Sequence, residues 1–269
     1  MRILLANDDG IHAPGIAALA KRFSMEHEVF IVAPSSNRSG ASSSITVAVP
    51  LALEKSESED LPSKVAYGLA GSPVDCVLCG INGEHIPDVD VVISGINDGP
   101  NVGTDVIFSG TCGAARYASM MGIPGIALSV DCNSYRDPDD KSDDLYYDSM
   151  ADFACKNLSK LIGLCGERKK YGDRYIYDCF VNVNSPCLKE YKGVRFTTPC
   201  LRRYFDRIVL EKNSDGNMVS KCIGEAKVFS HGDETADFRA TESGYVSVSA
   251  VYTEVAAMDL RGMENSFIL

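Results

Sequence analysis

Apolar runs alternate with amphipathic or small-residue stretches through the first half of the chain: RILLA, GIAALAKRFSM, EVFIVAP, SPVDCVLCGI, VDVVISGIN, SGTCGAARYASMMG and IPGIALSV. Runs such as EVFIVAP are apolar at nearly every position, as strands covered on both faces are, while the intervening segments carry helical spacing. The alternation predicts repeated βαβ units and therefore an α/β fold whose mostly parallel sheet is packed on both sides. Ser72 and Pro73 predict a helix start, and Gly122 with Pro124 marks where a helix stops and the next strand begins.

Acidic stretches interrupt this core. EKSESEDLPSK and DCNSYRDPDDKSDD read as surface loops, LYYDSMADFACKNLSKLI as helix and GERKKYGDR as a basic turn. After YIYDCFVNVNSP the pattern changes. VRFTTP, YFDRIVLEK and GYVSVSAVY alternate apolar and polar residues as β-ribbons do, with turn signals at Asn213 to Asn217. We therefore divide the chain into an α/β core, residues 1–190, and a β-rich C-terminal extension, residues 191–269, too thin to fold alone and expected to pack on the core or on a partner subunit.

A chain of 269 residues with 45% apolar and 23% charged residues is long enough for a substantial core and has ordinary globular composition. Its net charge of −11 argues against binding polymeric nucleic acid, which calls for basic patches, but is compatible with a small phosphorylated substrate. The chain has neither a leader-like start nor an apolar run of membrane-spanning length, so a soluble, unexported, cytoplasmic protein without membrane contacts is expected. Its ten cysteines are scattered, in segments such as those of Cys179 and Cys222 that look buried, and read as reduced thiols. Cys76 and Cys79 form a lone C-x-x-C on a predicted helix, where core packing is the better explanation.

In open α/β sheets ligands gather at the carboxyl ends of the strands. The first strand ends in Asn7, Asp8, Asp9 and Gly10, the second in the serine-rich SSNRSGASSS, and VDVVI in SGINDGPNVGTDVIFSGT, which runs into a helix. Two adjacent carboxylates repel unless a cation lies between them. Asp8 and Asp9 with neutral oxygens from Ser39 and Asn97 make a hard donor set that suits Mg²⁺, Mn²⁺ or Ca²⁺ better than zinc. Ser109, Gly110 and Thr111 open a helix with small residues, where a phosphate can approach free N–H groups. Asn37 and Gly40 of the serine-rich loop and Asn101 of the third loop join them as phosphate-binding candidates. Asp8, Asp9 and Asn97 are the catalytic candidates, with Asp9 placed to orient or deprotonate a water. Each feature has a plainer explanation: an acid pair can cap a helix, glycine-rich loops can be plain turns, His12 reads as a loop residue and Arg38 as a surface cation. Three such loops converging on one sheet edge are harder to explain by packing.

NDDGIHAPGI at 7–16, NRSGASSS at 37–44, SGINDGPNVGTDVIFSGTCGAA at 94–115, NVNSP at 182–186 and TADFRATESGYVSVS at 235–249 closely resemble the SurE family of stationary-phase survival proteins. The resemblance implies a Rossmann-like three-layer α/β/α core and a C-terminal β extension exchanged between subunits of a homodimer or homotetramer. It also implies a metal-dependent phosphatase, a 5′(3′)-nucleotidase acting on nucleoside monophosphates, with polyphosphate as a further substrate of some members. One divalent ion per subunit, Mg²⁺ or Mn²⁺ with Ca²⁺ as a crystal substitute, would be held by Asp8, Asp9, Ser39 and Asn97. Three other readings fit less well. A haloacid-dehalogenase-type phosphatase needs a second acid two residues after its aspartate nucleophile, where this chain has Gly10 and Ile11. A dinucleotide-binding domain needs a G-x-G-x-x-G that is missing here. A receiver-like regulatory module, with Asp98 as phosphoacceptor, would leave FSGTCGAA and the C-terminal extension unexplained.

Overall fold

The computed structural model describes residues 1–131, 146–223 and 228–255. All of the expected loop DCNSYRDPDDKSDD except Asp131, together with Cys132 inside it, therefore lies outside the described residues. In chain order the elements are β1 (Arg2–Ala6), α1 (Pro14–Phe23), β2 (Glu28–Pro34), β3 (Leu53–Ser56), β4 (Val65–Leu69), α2 (Pro73–Asn82), β5 (Val91–Asp98), a 3-10 turn (Gly103–Ile107), α3 (Gly110–Met120) and β6 (Gly125–Asp131). There follow α4 (Tyr147–Lys156), α5 (Leu158–Gly163), β7 (Arg168–Tyr171), β8 (Arg174–Tyr177), β9 (Cys179–Pro186), β10 (Val194–Phe196), β11 (Leu201–Tyr204), β12 (Arg207–Lys212), β13 (Met218–Ile223), β14 (Val228–His231), α6 (Asp237–Glu242) and β15 (Val246–Tyr252).

Nine strands form the main sheet in the order β10-β15-β9-β6-β5-β1-β2-β4-β3. The central run from β9 to β4 is parallel, and β3 and β15 pair antiparallel with β4 and β9. Successive side chains of β1 point to opposite faces. Ile3 and Leu5 pack with α1 and α4, and Leu4 and Ala6 with α2 and α3. Burial on both faces explains why β1 and β2 are apolar at nearly every position, and the α/β prediction holds.

The predicted start of α2 also holds. Ser72 Oγ accepts the Asp75 N–H at 3.2 Å while Asp75 Oδ2 accepts the Ser72 N–H at 2.8 Å, a reciprocal capping box above Pro73. Two acidic or basic stretches differ from expectation. The LEKS segment at the start of the acidic run is the edge strand β3, and GERKKYGDR supplies most of the β7–β8 ribbon rather than a simple turn. Both are exposed, and charge on an exposed edge is compatible with strand pairing while hiding the strand pattern. VAYGL, unassigned from the sequence, is strand β4.

Beyond residue 190 the chain adds β10 and β15 to the main sheet, with Val246 and Val248 buried, and forms the ribbons β11–β14 and β12–β13. Among the described residues no disulfide joins the cysteines, and Cys76 packs in the core beside the half-buried Cys79. Cys222 corrects the expectation of burial: it is exposed on the outlying β12–β13 ribbon, and Cys179 is half-buried. Alternating patterns occur on any two-sided ribbon, so the pattern alone did not distinguish a covered face from an open one. Among the described residues no helix is long and apolar enough to cross a membrane.

Candidate active site

From β1 the chain proceeds outward to β2 and β4, and from β5 to β6 and β9 on the other side, so the sheet order reverses between β1 and β5. A crevice at the carboxyl ends of these strands is the expected ligand position. Here Asn7 closes a tight turn. Its buried side chain donates from Nδ2 to the Gly10 carbonyl at 2.9 Å and accepts the Gly10 N–H on Oδ1 at 3.1 Å. Asp8 and Asp9 sit within this turn, and the Asp8 carbonyl accepts the Arg38 N–H at 2.7 Å, tying the serine-rich loop across it.

Asp8 is buried against the start of α3. Its Oδ1 accepts the Thr111 hydroxyl at 2.5 Å, and its carboxylate lies against the backbone amides of Gly110 and Thr111, which favour its charged form. A Cβ on Gly110 would lie 2.9 Å from Asp8 Cβ and 3.0 Å from its Oδ2, so glycine is what allows this approach. Burial pushes the Asp8 carboxyl above its ordinary range, and the α3 donors offset part of that. Asp9 is pushed up to about 6 by burial and by the Asp8 and Asp98 carboxylates, against the Asp98 N–H that reaches its Oδ2 at 3.2 Å. Asn37 Nδ2 approaches its Oδ1 at 3.4 Å. Among the described residues no lysine or arginine forms an ion pair with Asp8 or Asp9. An acid pair of hard oxygens, mutually repelling and with no Lys or Arg ion pair among the described residues, fits a divalent cation.

The other sequence candidates fall into two groups. Asn37, Ser39 and Gly40 are exposed, with the Ser39 N–H on Asn37 Oδ1 at 2.8 Å. Half-buried Asn97 donates from Nδ2 to the Gly99 carbonyl at 2.8 Å. The remainder are engaged internally. Ser109 Oγ caps α3 by accepting the Cys112 N–H at 3.0 Å, and the Thr111 hydroxyl is directed to Asp8. Asn101 is clamped: its N–H reaches Asn184 Oδ1 at 2.7 Å, its Nδ2 reaches Ser129 Oγ at 2.8 Å, and its carbonyl accepts Asn182 Nδ2 at 2.8 Å.

Asn182 and Asn184 were not singled out from the sequence, although two buried amides alternating within the apolar strand CFVNVNSP were a signal. The exposed His12 lines a cleft of about 390 Å³ together with Asp9, Ser35, Ser36, Asp98 and Tyr147. Glu26, His27 and Cys155 also gather their polar atoms within 4.8 Å of one another, but Glu26 and His27 precede β2, at the opposite sheet edge, and Glu26 is ion-paired with Arg22 at 2.7 Å.

The profile of the family described as survival protein SurE matches residues 3–206. The 5′/3′-nucleotidase SurE of Erwinia tasmaniensis is 36% identical over 270 residues, covering 100% of this chain and 96% of that protein. The 5′/3′-nucleotidase SurE of Salmonella arizonae is 38% identical over 259 residues, covering 96% and 92%. The crystal structure of the SurE protein from Aquifex aeolicus superposes with a TM-score of 0.72 at 29% identity, over 99% of this chain and 98% of that one. With its acid pair on a Rossmann-like sheet and a match spanning most of its length, this chain belongs to the SurE family.

Proposed function

We propose that the chain is a divalent-metal-dependent 5′-nucleotidase, hydrolysing nucleoside 5′-monophosphates to nucleoside and phosphate, with 3′-monophosphates and polyphosphate as further substrates to assay. The names of the relatives support a nucleotidase, and the observation that carries the metal dependence is the Asp8–Asp9 pair, mutually repelling and with no Lys or Arg ion pair among the described residues. Asp8, Asp9, Ser39 and Asn97 are the residues that would hold the ion. When bound, such an ion neutralises phosphate charge and acidifies water. Asp9 then orients the attacking water in line with the phosphorus, and Asn37, Ser39 and Gly40 reach the phosphate from the exposed loop. The positive end of the α3 dipole, at Ser109, Gly110 and Thr111, favours the charge that builds on the phosphoryl oxygens, and Asn101 holds the loop that carries Asn97.

Residues 191–269 are assigned to assembly of a homodimer or homotetramer, supported by the exposed Leu201, Ile208, Leu210 and Phe229 on the outlying ribbons. Light scattering of the intact chain and of a variant with these four positions made polar tests this assignment: wild-type oligomers reduced in size in the variant are expected, and a monomeric wild type contradicts it. The activity is tested by phosphate release from a panel of 5′- and 3′-monophosphates with Mg²⁺ or Mn²⁺, and again with EDTA. Release that needs the metal and disappears in Asp9→Asn is the expected result. Release that survives both EDTA and the substitution would reject the reading.

A further inference from the structure

The loop after β5 reaches α3 through the 3-10 turn Gly103–Ile107, and this turn is gripped from outside by the C-terminal segment. Buried Asp237 accepts the Gly103 N–H on Oδ2 at 2.6 Å while its Oδ1 accepts the Phe238 N–H at 2.9 Å. Gly103 has a φ of +59°, and a Cβ there would lie 2.5 Å from the Cys200 carbonyl oxygen, so the two backbones are in direct contact. The Thr104 hydroxyl donates to the Arg202 carbonyl and accepts the Arg202 N–H at 3.1 Å. Tyr204 donates its hydroxyl to Asp105 Oδ2 at 2.6 Å, and Arg202 Nε stands 3.4 Å from the same oxygen.

From Asp105 the contacts continue inward. Its carbonyl accepts the N–H groups of Phe108 at 2.9 Å and Ser109 at 3.1 Å. Ser109 Oγ caps α3, whose next two residues, Gly110 and Thr111, hold Asp8. A single 3-10 turn has poor internal hydrogen-bond geometry, so contacts from outside determine where it sits.

We infer that Arg202, Tyr204 and Asp237 are positioning residues, through which the C-terminal segment sets the 3-10 turn and with it the start of α3 against Asp8. The catalytic consequence rests on the activity proposed above. Misplacing a group that acts on the transition state lowers the rate of the chemical step, and an ångström is enough to matter. A segment merely resting on the core would have no such effect.

The test compares the full-length wild type with Tyr204→Phe, which deletes one hydroxyl from a partly exposed ring, and with Thr104→Val, which deletes the bonds to Arg202 from the other side. Tyr204→Phe is expected to lose about tenfold in kcat, the size of effect of one hydrogen bond to a charged group, and Thr104→Val about fivefold, since its partners are neutral backbone groups, with KM within about twofold of wild type in both. Backbone hydrogen exchange across residues 103–112 is expected to quicken in both. Unchanged kcat, or faster exchange confined to residues 200–237, would overturn the inference. If the wild type itself released no phosphate, the activity reading would fall, and exchange at Ser109 to Cys112 would still decide whether the C-terminal segment positions α3.

Discussion

The Thr111 hydroxyl donates to Asp8 Oδ1 at 2.5 Å, joining residues 103 positions apart in the chain. Thr111 is fully buried, so Thr111→Val keeps the volume but removes this donor. A hydrogen bond to a charged group contributes about 1.5–3 kcal/mol, which corresponds to at least about a tenfold loss of phosphate release if the bond holds Asp8 in its working position. Thr111→Ser, which retains the hydroxyl, is expected to recover most of the activity. Steady-state kinetics of the two variants, beside circular dichroism to show that both fold, would check this.

Gly110→Ala places a methyl group 2.9 Å from both Asp8 Cβ and Pro73 Cγ. Overpacking of this kind costs about 1–3 kcal/mol of stability, and here the displaced neighbour is Asp8 itself. Activity is expected to fall further than stability does. Urea midpoints measured alongside kcat separate the two effects.

Asp75 links acid stability to the α2 cap. Burial raises its pKa, but bonds from the Thr46 N–H at 2.8 Å, the Thr46 hydroxyl at 2.8 Å and the Ser72 N–H outweigh this and leave it below the ordinary value of 3.8. The folded state therefore binds fewer protons than the unfolded state in this interval. The stabilisation is complete above pH 3.8 and is lost as pH falls through the lower, folded-state pKa. Asp75→Asn is expected to cost about 1–2 kcal/mol at neutral pH, with the difference from wild type narrowing in acid. Denaturant titrations at neutral pH and below pH 3.8 would show that narrowing.

Cysteine exposure predicts a labelling order. Cys112 is fully buried with its thiol pushed up to about 12 by burial, and Cys76, Cys155, Cys165 and Cys200 are buried too, whereas Cys222 is exposed. A thiol-directed maleimide on the native protein should modify Cys222 ahead of these five, and peptide mass spectrometry reads the order directly.

The chain's local signals carried far because they report local physics. Strands β1 and β2 are apolar at nearly every position because both faces of the sheet are covered, and Ser72–Pro73 begins a helix because its groups satisfy that helix's own first amides. The strand β3 escaped notice because its exposed edge tolerates the charges that also mark loops, and β4 because VAYGL is short and interrupted by glycine.

By itself the sequence determined the alternation of the central strands β1, β2, β5 and β6 with α1, α2 and α3, the acid pair where β1 ends and the small residues where α3 begins, since periodicity, capping and turn chemistry operate over a few neighbouring positions. The tertiary structure alone decided that the Thr111 hydroxyl at the start of α3 is given to Asp8, that Asn182 and Asn184 clamp Asn101, and that β15 returns antiparallel beside β9. Those outcomes join residues dozens of positions or more apart. Each depends on which buried donor finds which acceptor once the sheet has closed, because a buried polar group left unpaired costs more than the local preferences that precede it.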